Sequence, residues 1–511
     1  MKNKLIYYKV IFILFINCLF LACTSSNKNQ FPEPRIESAI AKVIGKIENF
    51  ELNEGEDQPT IKLFIPNPVS GVPSRLETSL NKDGSFEFDV PLEADYMIGI
   101  INIEALNKNL IIGLGTAKET KLTIVDNKNG NINISLSNPI GLTTEDILNL
   151  GEVLTQMYTT PSADSTYYKM APKDFAAIAI KNMEKILNIA ANDTTLSLST
   201  KNFVKNEFKL FYLSGCLLDY AGYIELNYQN FRTKEEPDNF TPQKPDISYY
   251  NFLQYFDLNN PQYIYNTTYS EVFQKILFDN TLNIPKIEDT PIDEWLKEVK
   301  TTIATLIGSD NGLFYDMLAI NAYTSQFENE LMPLSEKQIA NIKNYFKNKD
   351  ISKILLKRNE EIISLAEQTT SPIIRNTPSV ENKELMNAII SQYKGKAVFV
   401  DFWATWCGPC LSAMKEFREV KRNYKNKDIV FVYITNTSSP LKLWKEKIKG
   451  IGGEQYYLSG EQWDYLLDSF DFSGIPTYQL YNADGILKNQ TTGYPGNIRM
   501  QQIIDEILLK K

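Results

Sequence analysis

"AVFVDFWATWCGPCLSAMKEF", Ala397 to Phe417, decides the fold of the part of this chain that carries chemistry. Its opening residues are apolar apart from Asp401, the pattern of a fully buried strand ending at Phe402 or Trp403. A short loop follows, and Cys407 falls at the start of a helix. A helix N-terminus presents unpaired N–H groups and positive dipole potential, which stabilise a thiolate over a thiol. Cys407 is therefore placed to ionise near neutral pH and attack a disulfide, because only the thiolate is nucleophilic. Cys410 lies within the first helical turn and nearer the interior. It is placed to attack the resulting mixed disulfide and release a reduced substrate. Pro409 keeps the first turn helical and lacks an N–H that would go unpaired. Trp406 offers an apolar surface beside the nucleophile, and Gly408 leaves room for a substrate backbone.

Two other uses of such a cysteine pair are weaker. A tetrahedral metal site needs four ligands, and the chain contains no histidine and no second cysteine pair in this region. A permanent staple across two intervening residues closes too small a loop to stabilise much. The missing histidines also remove Ser-His and Cys-His nucleophile pairs, histidine bases and most zinc and copper sites. No metal and no cofactor is expected. A net charge of −9 argues against nucleic acid as a partner. Five cysteines in 511 residues are too few for a disulfide-built scaffold.

The length predicts about three domains. Residues 380–511 alternate strand and helix, through "KAVFVDFW", "DIVFVYITN", "GEQWDYLLDSF" and "TYQLYNADGILKNQ", which implies an α/β sheet with parallel members. "NADG" marks a hairpin. Residues 36–142 are β-rich: in "GSFEFDV" Phe86, Phe88 and Val90 alternate with polar residues, and the whole predicts a small antiparallel sandwich. Residues 143–375 turn to helical spacing, opening with Thr143 or Thr144 as N-cap. The run "KNEFKLFYLSGCLLDYAGYIELNY" reads as helical, with Cys216 a buried small hydrophobe on its apolar face. The expected fold class is thus a β-sandwich-like N-terminal domain, an α-helical middle domain and a C-terminal α/β domain.

At the other end, "MKNKLIYYKVIFILFINCLFLAC" has lysines and a short apolar run from Val10 to Leu21, a secretory signal over residues 1–23. Its ending, "LFLAC", resembles the lipobox of bacterial lipoproteins, which would make Cys23 the lipidated first residue of the mature chain. Residues 24–35 are polar and proline-bearing, and are expected to form a tether. The resemblance implies a bacterial envelope protein, lipid-anchored to the membrane and facing the periplasm, where thiol chemistry is meaningful.

"VDFWATWCGPC" and, downstream, "SGIPTY" together resemble the thioredoxin superfamily, in particular its TlpA-like branch of tethered thiol–disulfide oxidoreductases. The resemblance covers residues 380–511 and implies a thioredoxin-like fold there. It implies that Pro476 follows a cis peptide facing the cysteines, with Ile475, Pro476 and Thr477 forming a substrate-binding loop. It also assigns Asp401 as the buried carboxyl that takes the proton of Cys410. The stretch between the cysteines and Pro476 is about one strand–helix piece longer than in minimal thioredoxin, and TlpA-like proteins carry such an insertion. Ala413 and Lys415 depart from the family's pattern: some tethered members have a glutamate where Ala413 stands, and thioredoxin a kinking proline near Lys415. The N-terminal β-rich and helical regions resemble those of Bacteroidetes lipoproteins of this kind.

The function expected is reduction of disulfide-bearing client proteins, with electrons from a membrane donor. The Gly-Pro dipeptide between the cysteines is that of reducing thioredoxins, near about −270 mV, rather than of an oxidant near about −120 mV. Disulfide oxidation or isomerisation is the alternative. A partner-binding lipoprotein with an accessory thioredoxin-like module is another.

Overall fold

The computed structural model describes residues 30–50, 58–127, 132–160, 166–237, 240–330, 332–368, 371–472 and 474–509. Cys23, the signal segment and residues 24–29 of the tether lie outside them. The described chain divides into two compact units. One holds residues up to Pro285 together with Leu296–Leu318, and the other holds Lys286–Trp295 with Ala319–Lys511.

In the first unit, strands β1 (Ile36–Glu48), β2 (Thr60–Ile65), β3 (Ser74–Ser79), β4 (Ser85–Ala94), β5 (Tyr96–Ile103), β6 (Lys108–Gly115), β7 (Glu119–Asp126) and β8 (Ile132–Ser137) form two four-stranded sheets, β4-β1-β7-β8 and β3-β2-β5-β6. The alternation in β4 is as the pattern requires, with Phe86, Phe88 and Val90 buried and Glu87 and Asp89 exposed. Gly45 pairs with Phe86 across the strands, and a Cβ there would come within 1.9 Å of the Phe86 ring, so the ring lies over the glycine. One pairing differs from the expected antiparallel arrangement: β1 and β7 run parallel. They are far apart in sequence, joined through the other sheet rather than by a hairpin, so turn geometry does not set their direction.

Helices follow. Thr143 caps Thr144–Thr159, its hydroxyl accepting the Asp146 N–H at 3.1 Å while Asp146 accepts the Thr143 N–H at 3.0 Å. The run Lys205–Tyr228 is not one regular helix. It breaks at a π turn, Leu213–Leu217, between helices Leu198–Tyr212 and Tyr220–Phe231. Ser214-Gly215 is a weak helix-forming pair, and the wide turn gives Tyr249 a bond to the Leu217 carbonyl at 2.8 Å. Cys216 is buried in that turn. The tether is held down at its far end: Phe31 is buried against Phe203 and Tyr265, and the Tyr265 hydroxyl donates to the Pro32 carbonyl at 2.8 Å. No helix among the described residues is long and apolar enough to cross a membrane.

The second unit is built on a sheet of β9 (Ile373–Ile374), β10 (Ala397–Phe402), β11 (Ile429–Asn436), β12 (Glu454–Leu458), β13 (Thr477–Tyr481) and β14 (Leu487–Thr492), in the order β14-β13-β10-β11-β12-β9. All six residues of β10 are buried. The strand lies parallel to β11 and antiparallel to β13, and helices cover both of its faces. Strands β13 and β14 form the hairpin marked by "NADG", with Gly485 at φ +79°. Strand β12 and helix Gly460–Ser469 supply the extra strand–helix piece before the Ile475-Pro476 loop.

Residues Ala319–Gln368, helical in character, belong to this same unit. A π turn, Gln326–Glu330, is pinned by paired amides of Gln326 and Gln338, 2.8 Å apart at the closer bond. It carries Glu328. One carboxylate oxygen of Glu328 accepts from Arg358 at 2.8 Å, and the other from Lys415 on the helix Gly408–Arg422. The pair is largely shielded from water, with 16% of the Glu328 side chain and 12% of Arg358 exposed. Arg358 keeps a second partner in Glu361 at 2.7 Å and Lys415 is 37% exposed, so loss of Glu328 leaves both cations only partly unpaired. Glu328→Ala is therefore expected to lower the stability of this unit by about 1–2 kcal/mol, the scale of a lost charge-assisted hydrogen bond. All five tryptophans lie in this unit. Tryptophan fluorescence during urea unfolding of the full chain reads it selectively, and an unmoved transition would rule the brace out.

Candidate active site

The loop after β10 brings Cys407 to the N-cap of helix Gly408–Arg422, with φ −78° and ψ 93°. Its sulfur accepts the backbone N–H of Cys410 at 3.2 Å, one of the unpaired donors of a helix start. Cys407 and Cys410 are joined as a disulfide, with Cα atoms 5.3 Å apart. Cys410 is fully buried, and Cys407 retains 4% exposure. Around that small opening Trp406, Gly408 and Pro409 are all exposed. A Cβ added to Gly408 would meet nothing within 4 Å, so the space in front of it is open.

Facing the cysteines, the peptide Ile475-Pro476 is cis. The Ile475 carbonyl oxygen lies 3.7 Å from the Cys407 sulfur. Gly474 is exposed and Ile475 half-buried, while Pro476 is buried and its carbonyl accepts the Gly493 N–H at 2.8 Å. Thr477 is buried, and its hydroxyl donates to the Gly474 carbonyl at 2.6 Å, so its side chain supports the loop from within.

Asp401 sits in β10 between Phe399 and Trp403. By strand alternation it shares their face, which is also the face packed against both cysteines. It is 2% exposed, and its Oδ1 has no hydrogen-bond partner among the described residues. Its register neighbours are Tyr433 on β11 and Tyr478 on β13. The Tyr478 hydroxyl and the Trp403 indole N–H are likewise buried without partners. Burial holds the Asp401 carboxyl well above its ordinary range, opposed only in part by the charge of Lys421.

Lys421 is the residue that sequence reasoning missed. Its ammonium donates to the Tyr433 hydroxyl at 2.9 Å and to the Ile451 carbonyl at 3.0 Å, and lies 4.7 Å from the centre of the Tyr433 ring. Burial pulls it down to about 7, with Asp401 pulling the other way. A signal for it was available. Cys410, Met414, Phe417 and Lys421 follow at spacings of four, three and four, which puts a lysine on the helix's buried stripe.

Cys216, the remaining described cysteine, is remote in kind. Burial pushes its thiol up to about 12, and it lies in the other unit. A buried carboxyl whose proton affinity is raised, a sulfur on a helix N-terminus and a second sulfur sealed behind it form a set suited to two-electron exchange through a mixed disulfide.

Comparisons with known proteins place the same region. The Redoxin family model matches residues 375–497. The thiol-disulfide oxidoreductase ResA of Geobacillus kaustophilus is 32% identical over 104 residues, which are 20% of this chain and 59% of that protein's length. A thioredoxin of Coprinus comatus is 35% identical over 74 residues, 14% of this chain and 69% of the relative. Among solved structures, a thioredoxin-family thiol:disulfide interchange protein from Chlorobium tepidum TLS aligns with 26% identity and a TM-score of 0.21, covering 23% of this chain and 83% of that one.

Proposed function

Through its C-terminal domain this chain belongs to the thioredoxin family, and from that premise we propose that it is a thiol–disulfide oxidoreductase that reduces disulfide-bearing proteins. The observation that carries the reading is the Cys407 sulfur at a helix N-cap, bonded to the Cys410 N–H at 3.2 Å. In the reduced protein the Cys407 thiolate attacks one sulfur of a client disulfide. That S–S bond breaks, and the other client sulfur leaves as a thiolate and takes up a proton. Asp401 then accepts the proton of Cys410. The Cys410 thiolate attacks the Cys407 sulfur, closing the Cys407–Cys410 disulfide and expelling the second client thiolate. Two electrons have passed to the client, and an external dithiol donor must return them.

Exposed Trp406, Gly408 and Pro409 bound the approach to the reacting sulfur, and the Ile475 backbone pairs with the client. Gly-Pro between the cysteines favours the reducing direction. The lipobox-like ending at Cys23, outside the described residues, supports an envelope protein held by a lipid anchor, with its electrons drawn from a membrane donor. In this proposal the eight N-terminal strands make up a sandwich domain.

The test is reduction of a protein disulfide such as insulin's, with dithiothreitol as electron source. The full chain without its first 23 residues should speed the reaction well above dithiothreitol alone, and Cys407→Ser should not. A wild-type rate equal to that of buffer would count against the proposal.

A further inference from the structure

Trp406 is 63% exposed, the most exposed of the large hydrophobic side chains next to the reacting sulfur, yet its indole is not free to turn. Its Nε1–H donates to the Ser438 hydroxyl at 3.0 Å. That hydroxyl spends its own proton on Asn436 Oδ1 at 2.6 Å, so a lone pair is left directed at the indole. Asn436 Oδ1 also accepts the Ser438 N–H at 3.0 Å. One residue on, fully buried Ser439 accepts the Thr405 N–H at 3.0 Å and shares a hydrogen bond with the Thr435 hydroxyl at 2.8 Å. The Ser439 carbonyl accepts from the Tyr457 hydroxyl at 2.6 Å. The loop at the end of β11 therefore grips both residues that precede the nucleophile.

We propose that Ser438 is a positioning residue that locks the Trp406 indole as a fixed platform for an apolar side chain flanking the client's disulfide, and so helps to set client choice. The inference rests on the exchange reading above. Trp406 adjoins Cys407 in the chain, so any disulfide attacked there brings its neighbouring residues against the indole. Leu441, three residues past Ser438, is 49% exposed and adds apolar character to the same loop's end. A platform held in one orientation before the client arrives spares the cost of immobilising that side chain on binding. The hydroxyl's two roles, donor to Asn436 and acceptor from the indole, cannot both be filled by alanine, whereas threonine keeps both.

The experiment uses the chain without its first 23 residues and two peptide disulfides, alike except for phenylalanine or glycine beside the cysteine. The preference for the phenylalanine peptide, read as the ratio of KM values, should fall about three- to tenfold in Ser438→Ala, the size of one side chain's ordering cost. Ser438→Thr should restore it. In a Trp406→Ala background Ser438→Ala should change the ratio no further. The reduction potential, which a general loosening of the active-site helix would move, should stay in place. Equal KM changes for both peptides, or an undiminished effect without Trp406, would overturn the inference. A wild type that reduces neither peptide would instead remove the exchange reading, and this inference with it.

Discussion

Cys410→Ser is expected to turn the protein into a trap for its clients. Cys407 keeps its place at the helix N-cap and, in the proposed exchange, still attacks. No thiol remains behind it to expel the client, so the mixed disulfide persists. Turnover should fall by about 10³-fold or more, the scale seen when one member of a concerted catalytic set is removed. The adduct should appear on non-reducing gels and by mass spectrometry as a client joined to Cys407. Cys407→Ser should lose turnover as fully but hold no client, because Cys410 is fully buried. Cys216 is no substitute nucleophile, since burial pushes its thiol up to about 12. Adducts of equal strength in both variants would place the nucleophile elsewhere.

Asp401→Asn is the second large effect. A positioned base contributes about 10²-fold or more, so the resolution step should slow by about that factor while formation of the mixed disulfide changes less. In the wild type, resolution should speed up as pH rises through the raised value of Asp401, where the carboxyl becomes able to accept a proton. The variant should lose that rising limb. Stability gives an independent reading of the same group. Between the ordinary value of 3.8 and the raised folded value, the unfolded chain has released the proton and the folded one has not. The contribution of Asp401 to stability therefore falls as pH rises across that window, by up to about 1.4 kcal/mol per pH unit, and is read as wild type minus Asp401→Asn. Asp401→Asn should remove that negative contribution from the slope. Wild type and variant with the same pH dependence would mean that folding does not raise the carboxyl's proton affinity.

The stretch from Ala397 to Phe417 was legible because each of its features is local. Six buried residues in a row make a strand covered on both faces. A cysteine followed by Gly-Pro at a change of period makes a helix start. The β13–β14 hairpin was legible in "NADG" for the same reason. What the sequence hid was set by distant partners. Lys421 carries a helical-stripe signal, but its closeness to Asp401 depends on how β11 and the helix pack. Ser438 lies in an ordinary polar loop, and nothing local says that an indole will reach it. The parallel pairing of β1 with β7 and the burial of Phe31 against Tyr265 are likewise contacts between residues remote in sequence. The π turn at Leu213–Leu217 was hidden by the strong apolar period on either side of it.

The most direct test of the central claim is the reduction potential of the Cys407–Cys410 pair. It is measured by alkylating free thiols after equilibration in defined redox buffers, with Cys216→Ser to remove the only other thiol beyond the first 23 residues. A reductase built on this site should equilibrate near the thioredoxin end, about −270 mV. A value near about −120 mV would contradict the proposed direction and make the protein a donor of disulfides rather than of electrons.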